Sequence, residues 1–292
     1  MRERLATFVT LALCAAAAAC GGSDDDAAPV AEPSLTLSRT RAALGSPIDA
    51  TFRFAVASDA QIAGDYRVLV HILDAGGELM WADDHDPPVP TSQWTPGQVV
   101  EYTRTMFLPI YKYVGPATVH VGLYSPRDHS RLPLAAPTEG QREYALASLE
   151  LLPTSENVFI LYKDGWHEQE TSPDNSAVTW QWTTRAATVS FRNPRTPATF
   201  YLHADNPGSY AEPQPVEVVV NGQTVDAFEI SPRTEVVHRT SLTAEQLGAS
   251  EMVDLTIQVG KTWVPALLPE ANNRDTRELG LRVFHTFLGT QG

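Results

Sequence analysis

The chain is expected to be all-β, built as two consecutive antiparallel β-sandwiches. Three observations predict this. Hydrophobic residues alternate with polar ones at period two through most of the 292 residues. Turn formers punctuate the runs, with 22 prolines and 18 glycines. Only one short segment, around 242–248, has helical character, so no crossover helices are available for a parallel sheet. At ordinary domain sizes the length suits two medium domains.

At the N-terminus, Arg2 and Arg4 form a positive leader, residues 5–19 are apolar apart from Thr7 and Thr10, and Ala17-Ala18-Ala19 precede Cys20. This stretch resembles a bacterial lipoprotein signal. The resemblance implies cleavage before Cys20, acylation of its thiol and new amino group, and an extracytoplasmic chain held on the membrane by lipid. Ala17 stands where leucine is usual, which leaves ordinary cleavage as the alternative. Gly21 in place of an aspartate points to the outer membrane rather than the inner. Residues 21–33, with Asp24-Asp25-Asp26 and two prolines, read as a flexible acidic tether.

An immunoglobulin-like sandwich is expected over 34–152. Ile48, Ala50, Phe52, Phe54 and Val56 share one face of a strand, with Asp49, Thr51 and Arg53 on the other. Residues 66–73 are almost all apolar, as in a central strand, and Asp74-Ala75-Gly76-Gly77 turns the chain into 78–82. Further strands are expected at 99–108, 116–124 and 144–151. Val68 to Asp74, the 88–97 segment with Trp94, and Val121-Gly122-Leu123-Tyr124 resemble small immunoglobulin-like modules of bacterial surface and envelope proteins. That resemblance implies a fold and no chemistry. Between strands, Asp83, Asp84, His85 and Asp86 crowd one loop, a weak candidate for metal that reads equally as a solvated acidic turn.

A jelly-roll-like sandwich is expected over 153–292, with strands at 158–162, 178–182, 187–191, 199–204, 216–220, 224–230, 235–240, 253–259 and 279–287. Asn221-Gly222 between two alternating runs predicts a type I′ hairpin. Thr243, Gln246 and Gly248 predict a capped helical turn. The candidate binding residues concentrate in this half: Trp166, His167, Trp180, Trp182, Arg185, Asp275 and Arg277. On a strand, Trp180 and Trp182 lie about 7 Å apart on one face, which suits a packed core or a platform for sugar rings. Gly165-Trp166-His167-Glu168, Trp180-Gln181-Trp182, Val218 to Gly222 and Arg274 to Gly280 resemble a β-sandwich module of bacterial envelope polysaccharide proteins, some fused to glycosyltransferases. This implies a non-catalytic role close to glycans. Asp275 and Arg277 could contact sugar or pair with each other.

The formal charge of −14, or −15 once Arg2, Glu3 and Arg4 are removed, leaves no basic cluster for nucleic acid. With Cys14 and Cys20 spent in the leader and at the anchor, the mature fold has no thiol nucleophile. No serine elbow, zinc helix or phosphate loop occurs, and no cofactor is implied. A glycosidase would need two of Glu168, Glu170 and Asp275 to converge. The resulting expectation is a lipid-anchored envelope protein that binds or organises glycan. The alternative is an accessory lipoprotein docking a protein partner of polysaccharide assembly or secretion, and an envelope hydrolase is the third reading.

Overall fold

The computed structural model describes residues 27–138, 140–176, 178–207, 211–268 and 273–290. The leader, Cys20 and the acidic triplet lie outside the described residues, as does Asn272 in the polar run before Arg274.

Strand β1 (Ala31–Leu37) starts inside the expected tether, correcting its boundary. Ala31 and Leu35 are buried, and among the described residues β3 is the one strand beside β1, whose other side meets only Leu134 at Ala31, so Pro33 sits on an edge where its missing N–H costs no ladder bond. The first module continues through β2 (Arg41–Ala43), β3 (Pro47–Val56), β4 (Arg67–Asp74), β5 (Leu79–Ala82), β6 (Val99–Phe107), β7 (Gly115–Tyr124) and β8 (Tyr144–Leu152). Its sheets run β1-β3-β6 and β2-β8-β7-β4-β5, with β2 parallel to β8 and the other pairs antiparallel. The first strand is thus split between two sheets, in an immunoglobulin-like order. Phe52 and Phe54 from one sheet meet Val70, Ile72, Val121 and Leu123 from the other in the core. Trp94 closes it against Phe54 at 5.1 Å, donating its Nε1–H to Val89 O at 2.9 Å.

His85, in the expected acidic turn, is itself buried in this core. Its Nδ1 lies 3.0 Å from Asp83 O and its Nε2 2.7 Å from the Tyr102 hydroxyl, so the neutral ring donates at one end and accepts at the other. Burial pushes its pKa down to about 4 and pushes that of Tyr102 up. The native state therefore refuses a proton that the unfolded chain accepts below 6.5, and stability falls as the pH drops from 6.5 towards 4. This one group should remove about 3 kcal/mol across that window. Urea unfolding at pH 7 and pH 4.5 checks it; in His85→Gln the difference between the two pH values should shrink.

The second module contains β9 (Ile160–Tyr162), β10 (Glu170–Thr171), β11 (Thr179–Trp182), β12 (Ala186–Arg192), β13 (Ala198–Asn206), β14 (Gln214–Val220), β15 (Gln223–Ile230), β16 (Thr234–Leu242), α1 (Ala244–Leu247), β17 (Met252–Val259) and β18 (Arg282–Thr290). Its sheets run β10-β11-β18-β13-β16 and β15-β14-β17-β12-β9. From β11 to β18 successive strands fall in opposite sheets except at the β14–β15 hairpin, and this gives the jelly-roll order. Phe191, Phe200, Leu202, Val218, Leu255 and Ile257 fill the core. Asn221 and Gly222 take φ of 50° and 81° between the paired Val220 and Gln223, the geometry of the expected hairpin turn. Asn221 also donates its Nδ2–H to Gln246 O and Leu247 O, satisfying carbonyls at the end of α1. The capping box forms, with Gln246 N donating to Thr243 Oγ1 at 3.2 Å and Thr243 N to Gln246 Oε1 at 2.8 Å. The last strand begins at Arg282 rather than 279, because Leu279 is bridged to Trp263 instead.

The modules touch through β6 and the outer face of the β10-β11-β18-β13-β16 sheet. Arg239 on β16 donates to the Asp49 carboxylate and, at 2.7 Å, to Thr105 Oγ1. Phe107 stacks on His203 and His285 with ring planes within 11° and 8°. At the junction Asn157 Nδ2 donates to Leu44 O at 2.7 Å.

Candidate functional site

Alternation along β13 and β18 puts Tyr201, His203 and Asp205 on the outer face of the second module, and register brings β18 beside them: Asp205 opposite Arg282, His203 opposite His285. A bulge between His203 and Ala204 shifts the register there. A row of rings results. Trp180 on β11 meets Phe284 at 6.5 Å, Phe284 meets His203 at 4.9 Å, and His203 lies beside His285 beneath Phe107. The first module forms the opposite wall with Arg104 and Asp83, leaving a cleft of about 550 Å³.

Charged side chains flank the row in pairs. Arg282 donates Nε–H to Asp205 Oδ1 at 3.0 Å and also reaches Oδ2, which pushes the guanidinium pKa up. The same guanidinium lies 5.1 Å above the Trp180 ring. Trp180 is half-buried, and its Nε1–H donates to Glu170 Oε2 at 3.2 Å. Arg277 bridges Glu170 Oε1 at 2.8 Å and Asp275, with its Nε–H 3.0 Å from Asp275 Oδ1. Those bonds hold the Asp275 pKa down at about 2. Arg104 grips both oxygens of Asp83 at 3.2 Å, while burial pulls the Asp83 pKa up. His203 Nε2 lies 2.7 Å from Glu235 Oε1, which lowers the Glu235 pKa.

Of the sequence candidates, Trp180, Asp275 and Arg277 come together here. His167 lies close behind, its backbone N–H bonded to Trp182 O and its Nε2 2.7 Å from Glu278 O. Trp182 is 8% exposed and packs edge-on to Trp263 at 5.9 Å, so it is core. Trp166 is tied down elsewhere, packing against the second core with its Nε1–H on Thr188 O at 2.9 Å. Arg185 also lies apart, held by Gly260 O and Thr262 Oγ1 beside a separate depression of about 400 Å³ that Pro215, Glu217 and Gln258 line. The weak metal candidates Asp83, Asp84 and Asp86 do not converge, which corrects that reading. Asp83 faces Arg104, Asp84 accepts from Val70 N at 2.9 Å, and Asp86 faces Arg67 at 3.2 Å. Among the described residues no three metal-ligating side chains come together.

Sequence reasoning missed Asp205, Arg282, Phe284, His203, His285 and Glu235. Period-two alternation puts several of them on the outer face of their strands, but register across 82 residues, as between His203 and His285, is not a local property.

No protein-family model matches the chain, and no curated protein matches it. Among solved structures, the CBM36-1 domain of a multidomain xylanase from the hindgut metagenome of Trinervitermes trinervoides aligns at TM-score 0.29 and 10% identity, over 47% of this chain and 99% of its own. A carbohydrate-binding module CBM36 in complex with calcium and xylotriose gives TM-score 0.27 and 14% identity, over 44% of this chain and 97% of its own. An exo-β-1,3-galactanase from Phanerochaete chrysosporium gives TM-score 0.30 and 11% identity, over 88% of this chain and 56% of its own. At such scores the likeness transfers neither ligand nor activity to this chain.

Proposed function

We propose that this chain is a lipid-anchored, extracytoplasmic protein that binds or organises glycan without turning it over, and that the ring row between its modules is the binding surface. The observation that carries the reading is the half-buried Trp180 beside Phe284, flanked by the Arg282–Asp205 and Arg277–Asp275–Glu170 groups. Sugar rings stack on such surfaces through their C–H faces, and paired arginines and carboxylates present donors and acceptors for hydroxyls. The apolar run before Cys20 supports the anchor. A hydrolytic reading is weaker: Asp275 and Glu235 are held ionised, Glu170 is committed to Arg277 and Trp180, and Asp83, whose pKa burial pulls up, is gripped on both oxygens by Arg104.

Calorimetric titration of the full chain with a panel of bacterial polysaccharides tests the reading. Binding is expected, with Arg277→Ala weakening it about tenfold through loss of charge-assisted hydrogen bonds. A folded Arg277→Ala protein that binds every ligand as the parent does would sink the assignment.

One observation favours the docking alternative. Edge strand β9 pairs only with β12 and leaves Phe159 and Leu161 exposed at 76% and 45%, next to Met252. Loss of partner capture from envelope extracts in Phe159→Asp, with glycan binding intact, would support it.

A further inference from the structure

The groove carries more negative than positive charge. Asp83 and Glu235 line it against Arg104, and along the adjoining ring row stand Asp205, Glu170 and Asp275 against Arg282 and Arg277. Each of these arginines is already engaged by a carboxylate, so none stands ready to neutralise an anionic ligand. A uronate, sulfate or phosphate entering here would meet net repulsion and bring only acceptors.

The histidine pair adds direction. His203 Nδ1 and His285 Nδ1 are 3.1 Å apart, with ring planes within 8°. One proton fits between two such nitrogens. When the His203 ring is neutral and its Nε2–H points to Glu235, Nδ1 is left as an acceptor and the shared proton sits on His285 Nδ1. His285 Nε2 is then left as a lone-pair acceptor, polarised through two imidazoles by a carboxylate. Phe107 lies parallel over the pair, and His285 is exposed to solvent.

Resting on the glycan reading above, we propose that this groove takes an uncharged glycan, accepts a hydrogen bond from one of its hydroxyls at His285 Nε2, and excludes polyanionic glycans. The titratable and charged groups that line the cleft with His285 are His203 on β13, Glu235 on β16, Arg104 on β6 and Asp83 beyond β5.

The test is calorimetry on the full chain with a neutral gluco-oligosaccharide and a hexuronate oligomer of equal length, at low and high salt. The neutral ligand should bind with an affinity that salt barely moves, and the uronate at least about tenfold more weakly, the gap narrowing as salt screens the groove. His285→Ala should weaken the neutral ligand about five- to tenfold, the loss of one net hydrogen bond. Glu235→Gln keeps the shape, so it should weaken the neutral ligand less and narrow the discrimination against uronate. In parallel, 15N NMR should find His285 Nε2 unprotonated at pH 7. Tighter binding of the uronate, strongest at low salt, would overturn this inference while leaving the glycan reading standing. A protonated Nε2 at pH 7 would overturn the hydroxyl assignment, and binding of neither oligomer or of any panel polysaccharide would overturn both readings.

Discussion

Gly165→Ala is expected to unfold the second module or bring it close to unfolding. Gly165 has φ of +86°, and a Cβ built there would sit 1.8 Å from Ala186 O and 2.8 Å from both Ala186 C and Ala187 Cα. All three are backbone atoms of β12, which is pinned between β17 and β9 and cannot step aside. The turn is fixed from its own side too, since Thr184 N donates to Gly165 O at 2.8 Å and Trp166 is bridged to Thr183. The left-handed conformation alone costs a non-glycine residue about 1–2 kcal/mol, and overpacking against rigid neighbours adds about 1–3 kcal/mol or more. Together these are a large part of the roughly 5–15 kcal/mol by which a domain is stable. Gly222→Ala is the control: its φ is +81° but nothing lies within 4 Å of the added carbon, so about 1 kcal/mol should be lost. Urea unfolding followed by near-UV circular dichroism separates the two, and a Gly165→Ala protein with a midpoint near that of Gly222→Ala would refute the account.

The two tryptophans of β11 should respond in opposite ways. Trp182→Ala empties a buried site against Trp263 and should cost about 3–5 kcal/mol. Trp180→Ala removes a half-buried ring, its bond to Glu170 and the Arg282 contact, for about 1–2 kcal/mol, and should leave a folded protein. On the proposed function Trp180→Ala should abolish measurable glycan binding, because the ring row loses its end platform. Paired urea midpoints and calorimetric titrations measure both effects. Equal stability losses would contradict the burial difference, and a folded Trp180→Ala protein that still binds would remove the aromatic platform from the mechanism.

Much of the fold was legible in the chain because strand periodicity, turn chemistry and caps are local. The alternation at 48–56, the apolar run that became β4, the Asn221-Gly222 turn and the Thr243–Gln246 box each follow from a few neighbouring residues. Local signals misled where a distant contact outweighed them. Residues 31–33 look solvated by composition, yet β3 recruits them into a sheet, and the acidic turn at 83–86 disperses because Arg104, Arg67 and the Val70 amide each draw one carboxylate away.

By itself the sequence determined that two β-sandwiches form in order, that the second carries most of the tryptophans, and that Asp275 and Arg277 lie close enough to pair. Tertiary structure alone decided that Trp182 is core while Trp180 stands half-buried against Phe284, that Arg282 meets Asp205 and His203 meets His285, and that Phe107 of the first module covers that pair. The physical reason is range. Side-chain alternation is set within a strand, whereas which strands lie side by side, in which register and beneath which neighbouring module, is set by contacts between residues as far apart as Asp49 and Arg239.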